Sequence, residues 1–90
     1  MSAATESREL LRVAILKVLE ATPKKYGLGA TALGHLVVTY GFTPSVDELE
    51  IQLRYLDSKK MIEPVNRDLS PENYAWQITG TGSDYVAMHG

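Results

Sequence analysis

The side chains of this chain with the plainest chemistry are cations. Lys24 and Lys25, Lys59 and Lys60, and Arg67 make three separate basic points along the sequence. Ammonium and guanidinium groups so placed can hold phosphate oxygens by charge, setting a register without reading base sequence. Arg54 differs in kind, because a guanidinium projecting from a helix can donate to two acceptors of a guanine edge at once. Ser45 joins the set as a polar group at the start of the same helix. Lys24, Lys25, Ser45, Arg54, Lys59, Lys60 and Arg67 are therefore the candidate nucleic-acid contacts. The competing account of the lysines is a solvated surface, since isolated lysine pairs are ordinary solubilising residues. Arg67 is also followed by Asp68, with Glu72 close by, so the segment carrying it is not a basic prong.

Catalytic chemistry has little to work with. His35 and His89 are the two histidines, and neither stands beside a carboxylate or serine in sequence that would make it a general base. Cysteine is absent, which removes disulfides, thiolate zinc sites and cysteine nucleophiles. Clustered ligands are missing too, so no metal and no other cofactor is expected. The pairs Gly27 and Gly29, and Gly80 and Gly82, lack the strand-to-helix setting and third glycine of a dinucleotide loop and read as breakers. Tyr74 and Trp76 read as core and sheet-pairing aromatics rather than as a stacking platform. The expectation is a binding protein and not an enzyme.

These groups must be positioned by a small body. The 90 residues, 44% of them hydrophobic, suffice for one core and leave no room for a second domain. No apolar run approaches the roughly 20 residues that span a bilayer, and the N-terminus lacks the basic-then-apolar order of a signal peptide, so a cytoplasmic protein is expected. The formal net charge of −2 opposes a nucleic-acid reading, because small DNA-binding domains are usually basic. A local basic patch can nonetheless coexist with an acidic remainder.

Periodicity supplies the elements. Met1 to Glu6 show none and read as a flexible end, leaving 7–90 as the domain. From Ser7, a possible cap, Leu11, Ala14, Ile15 and Val18 recur at helical spacing up to Pro23. Leu10, Val13, Leu16 and Leu19 lie off that stripe, so this first helix must be covered from two sides. Leu33, Leu36, Val37 and Tyr40 trace a second helix, closed at Gly41. Ser45 and Glu48 form a capping box opening a third, whose core stripe is Val46, Leu49, Leu53 and Leu56. Met61–Val65 and Tyr74–Thr79 read as two strands of a hairpin. Gly80-Thr81-Gly82 then breaks the strand, and Ser83 is placed to cap a short last helix. The fold class is α+β, in the order α-α-α-β-β-α.

The stretch from Ser45 to Leu49, continuing through Leu53, Leu56, Met61 and Ile62, resembles a winged helix-turn-helix: a capped recognition helix, a polar turn and a first wing strand. Tyr74 to Thr79, with Gly82, Tyr85 and Val86, resembles the second wing strand and the "L-T-x-x-G" lead into a final helix of ArsR- and MarR-like regulators. More narrowly, the "L-L-R-V-A-I-L-K-V-L", "L-R-Y-L-D-S-K-K-M-I" and "W-Q-I-T-G-T-G-S-D-Y-V-A" blocks are similar to small ArsR-like winged-helix proteins of Mu-like prophages. This resemblance implies a three-helix core with a two-stranded wing, duplex DNA as partner and a role in transcription regulation. It implies no catalytic residue.

On such a fold the third helix would enter the major groove. Its outward residues are Asp47, Ile51, Arg54 and Ser58, flanked by Glu48, Glu50, Tyr55 and Asp57, a mostly acidic and apolar face with Arg54 its one good base reader. Glu50 precedes Arg54 at a spacing that favours an ion pair. Gln52 falls toward the core edge. The alternative reading is therefore a protein-interaction module, with Ile51 and Tyr55 on the third helix and Leu10 and Val13 on the first as interface residues. Apolar residues on a second face of the first helix also predict a homodimer.

Overall fold

The computed structural model describes residues 3–23, 26–65 and 74–89. Lys24, Lys25 and Arg67, with the rest of 66–73, lie outside the described residues. The elements run α1 (Ala3–Glu20), β1 (Leu28–Gly29), α2 (Ala30–Leu36), a 3₁₀ turn (Val37–Tyr40), α3 (Val46–Ser58), β2 (Ile62–Pro64), β3 (Ala75–Ile78) and α4 (Gly80–His89). The class is α+β, with four α-helices and a three-stranded antiparallel sheet of order β1-β3-β2 among the described residues. No described helix is long and apolar enough to cross a membrane.

α1 is the axis of the packing. Leu11, Ala14, Ile15, Leu16, Val18 and Leu19 are all buried, and the helix touches α3, the 3₁₀ turn, β3 and α4. Two-sided cover of α1 is thus provided within the chain, except at Leu10, which stays 59% exposed. The helix begins at Ala3 rather than at Ser7. A helix end needs no apolar stripe of its own; propensity extends a helix already nucleated by packing.

The second expected helix is split. After Leu36 the backbone tightens to three residues per turn, which rotates the later side chains off the earlier stripe. Leu33 and Val37 are buried, but Leu36 and Tyr40 are exposed. Gly41 ends the turn in the left-handed region, φ 90°, as its position suggested. In α3 the Ser45 hydroxyl oxygen accepts from the Glu48 backbone N–H at 3.1 Å, which is the first half of the expected capping box. The stripe itself is Leu49, Gln52, Leu53 and Leu56. Val46 is 71% exposed: it lies in the first turn, beyond the packed length of the helix, and Gln52 takes the fourth inward position.

The hairpin forms as expected, with Ile62 opposite Ile78 and Pro64 opposite Trp76. Ile62, Pro64, Trp76 and Ile78 turn inward. On the outer face the Gln77 amide donates to Glu63 Oε1 at 2.9 Å. β1, pairing Leu28 with Trp76, was not foreseen, since two residues carry no readable period.

The junction into α4 differs from expectation. Thr79, not Ser83, caps the helix: its Oγ1 accepts from Gly82 N–H at 3.1 Å and donates to the Lys60 carbonyl at 2.6 Å. The strand ends at Ile78, before the glycines, as expected, and Gly80 and Gly82 themselves belong to the first turn of α4. Gly82 is pressed against Met61, just before β2, and Ile78 at the end of β3: a Cβ there would collide with the Met61 carbonyl oxygen and stand 2.7 Å from Ile78 Cγ1, whereas a Cβ at Gly80 would meet nothing within 4 Å. Gly82→Ala is expected to lower the unfolding free energy by about 1–3 kcal/mol or more. Gly80→Ala should leave it level or raise it by up to about 1 kcal/mol. Urea denaturation of the two variants checks this pair.

Candidate functional site

α3 is held by one side only, and its outer side forms the candidate site. Asp47, Glu48, Ile51, Arg54 and Ser58 are exposed along it, Ile51 at 59%. Lys59 and Lys60 follow its last turn, both exposed, with Lys60 in the left-handed region at φ 61°. Ser45 is exposed at the other end, its hydroxyl engaged in the cap. The structure thus brings Ser45, Arg54, Lys59 and Lys60 onto one helix and its ends.

Tyr55 is exposed at 37% beside Arg54. It turns toward α1, where the Arg12 guanidinium lies 3.8 Å from its ring centroid, and the Lys59 ammonium is 5.6 Å away. Arg12 Nε also donates to Gln52 Oε1 at 2.6 Å. One side chain of α1 therefore stacks on an α3 aromatic and satisfies Gln52, the one buried polar side chain among the described residues. Among the described residues no buried side-chain nitrogen or oxygen lacks a partner. Sequence reasoning missed Arg12, and no local pattern could have revealed it, because its partners lie 40 or more positions away.

Two recesses flank α3. The one on the α1 side, about 480 Å³, is walled by Arg8, Arg12, Phe42, Pro44 and Ile51, with Glu48 at its edge. The other, about 360 Å³, lies between the start of α2, α3 and β3, and is lined by Ala30, Leu53, Tyr74 and Trp76 with Glu50, Arg54 and Asp57. Arg54 sits between the two half-buried carboxylates along the helix, yet among the described residues no ion pair joins it to either. The ion pair expected from the Glu50–Arg54 spacing is not formed; helical spacing permits such a contact without enforcing it, and exposed pairs gain little from it.

Leu10 and Val13 lie on the side of α1 nearly opposite Arg8, as 100° per residue requires. With Glu9, Tyr85 and His89 they border a shallow groove between α1 and α4. His89 stacks on Tyr85, ring centroids 4.2 Å apart, and His35 is exposed on α2. Among the described residues no group of three or more His, Asp or Glu side chains is placed to hold a metal ion.

No protein-family model, curated protein or solved structure matches this chain. What it binds is therefore read from its own surfaces.

The Arg12 contact has a measurable consequence. Arg12→Ala removes the partner of a buried amide, so it should cost about 1–3 kcal/mol. Gln52→Leu in the Arg12→Ala background should recover part of that loss. A thermal-unfolding cycle on the two sites would show coupling; additive effects would mean that the hydrogen bond contributes nothing.

Proposed function

We propose that the chain is a small winged-helix DNA-binding protein of the transcription-regulating kind, acting in the cytoplasm as a homodimer. The order α1-β1-α2-α3-β2-β3 with sheet order β1-β3-β2 supports a winged helix, with the β2–β3 hairpin as its wing. The observation that carries the proposal is α3: a helix capped by Ser45, packed through Leu49, Leu53 and Leu56, and open to solvent along the opposite side. In this reading Arg54 contacts a base edge, while Lys59, Lys60, Lys24, Lys25 and Arg67 contact phosphates. The resemblance to prophage-encoded regulators suggests the setting.

The acids limit this activity. Asp47 and Glu48 are exposed in the first turn of α3, where a phosphate would otherwise meet the helix N-terminus. Few phosphates can be neutralised, so affinity for random duplex should fall near about 10⁻⁴ to 10⁻⁶ M with a shallow salt slope. Arg54→Ala should abolish sequence preference, while loss of Lys59 and Lys60 should weaken binding to all duplexes alike. Fluorescence anisotropy on duplex pools across a salt series measures both.

A second reading, a protein-interaction module without DNA binding, is favoured by one specific observation: the exposed Ile51 among those same acids. Under it the Arg54 and lysine variants leave partner binding unaltered and Ile51→Asp removes it. Tight, salt-sensitive DNA binding that Ile51→Asp does not affect would eliminate this reading.

The dimer in the proposal uses the groove bordered by Leu10 and Val13. Leu10 and Met88, the latter 81% exposed, lie on α1 and α4, two helices that pack together. A second copy would cover them and set two α3 helices on a two-fold site. Analytical ultracentrifugation should find a dimer that Leu10→Asp dissociates. A monomer throughout the micromolar to millimolar range would remove the dimer while leaving a one-site DNA contact intact.

A further inference from the structure

The recess on the β3 side of α3 has a chemistry that the DNA reading does not use. Its floor is aromatic and apolar: Trp76 and Tyr74 meet edge to face at 5.5 Å and 85°, beside Leu53 and Ala30. Its α3 wall carries Glu50 and Asp57, two helical turns apart and both half-buried. Among the described lining residues only Arg54 is cationic, so these carry two negative charges against one positive. Such a wall repels phosphate. A partly desolvated carboxylate beside aromatic faces attracts a guanidinium, which can donate to the carboxylate, stack on the ring and lay its methylene stem on apolar side chains. The volume of about 360 Å³ lies at the small end of ligand sites and suits one long side chain with its flanking backbone.

We infer that this cleft is a socket for an arginine side chain presented by a basic segment of a partner protein. The charge complementarity of Glu50 and Asp57 and the aromatic floor select that occupant over an acidic peptide or a nucleic acid. The inference stands apart from the DNA proposal, because the groups that build the socket are those that hinder DNA. Arg54 gives the two activities opposite signs: it favours DNA and opposes a cationic guest in the cleft.

Trp76 is the only tryptophan of the chain, so its emission reports the cleft directly. The intact protein is titrated with a short arginine peptide with blocked ends, and in parallel with lysine and glutamate peptides. A saturable change with the arginine peptide is expected, weaker with lysine, which lacks the planar fork, and absent with glutamate. Glu50→Gln combined with Asp57→Asn should weaken arginine-peptide binding at least about tenfold, the loss of one to two charge-assisted hydrogen bonds. Arg54→Ala should strengthen it several-fold while weakening DNA binding. Should the double variant fail the circular-dichroism check of folding, the single variants carry the test, each with a smaller loss of the same sign. Amide and indole NMR shifts on the unaltered protein should centre on Ala30, Leu53 and Trp76. No saturable response up to millimolar arginine peptide, an equal response to glutamate, carboxylate variants that bind unchanged, or shifts centred elsewhere would each overturn the inference.

Discussion

The burial of α1 is the constraint on which the other elements depend. A helix with Leu11, Ala14, Ile15, Leu16, Val18 and Leu19 all inward has an apolar arc wider than one neighbour can cover. It is enclosed by α3 and the 3₁₀ turn together with β3 and α4. Each covering element spends its own apolar face on α1 and its neighbours in the core. For α3 that leaves the whole opposite side to solvent, and the openness of the candidate site follows from the demands of α1. Arg12 extends this coupling beyond apolar contact, since its bond to Gln52 and its stack on Tyr55 hold α3 at one rotation about its axis. That rotation directs Arg54 away from α1 and toward the β3-side cleft.

A second set of contacts fixes the sheet against the helices. Thr79 joins three parts of the chain: its N–H reaches the Met61 carbonyl, its hydroxyl donates to Lys60, and the same oxygen caps α4. The end of α3, the start of β2 and the start of α4 are thus tied at one residue. Gly82 permits this closure, because any larger residue would separate α4 from Met61. The Lys59–Lys60 turn is shaped by the same knot, and Lys60 adopts positive φ while its carbonyl serves Thr79.

Much of this architecture was legible because it rests on local pattern. The α1 stripe, the Ser45 cap, the Gly41 stop and the two hairpin strands each have a signature within a few residues, and each appears where that signature stands. What failed depended on distant contacts or on a change of helical pitch. Tyr40 left the core where the helix tightened to 3₁₀ geometry after Leu36, and hydrophobic spacing alone cannot register that tightening. β1 exists only because β3 is there to pair with it. Ser83 looked like the cap because glycines usually end elements, whereas Gly82 is present for close approach. At the candidate site, the placement of Ile51 and Arg54 followed from the heptad-like stripe. The Arg12 clamp and the aromatic cleft did not, since their parts come from segments far apart in sequence.

The charge on α3 decides how the two proposed activities relate. A helix that only read DNA would gain from basic residues on every outward position, yet Asp47, Glu48, Glu50 and Asp57 surround Arg54. The first pair stabilises the positive end of the helix dipole and so has a structural reason to be acidic. Glu50 and Asp57 lie farther along, where the dipole effect has faded within the first turn, and helix stability does not require their charge. Their position beside Trp76 and Tyr74 gives them a task that the cap does not. If a basic partner fills that cleft, it covers the side of Arg54 that a base edge would need. DNA and the partner would then compete for one helix, with the carboxylates favouring the partner and the guanidinium favouring DNA.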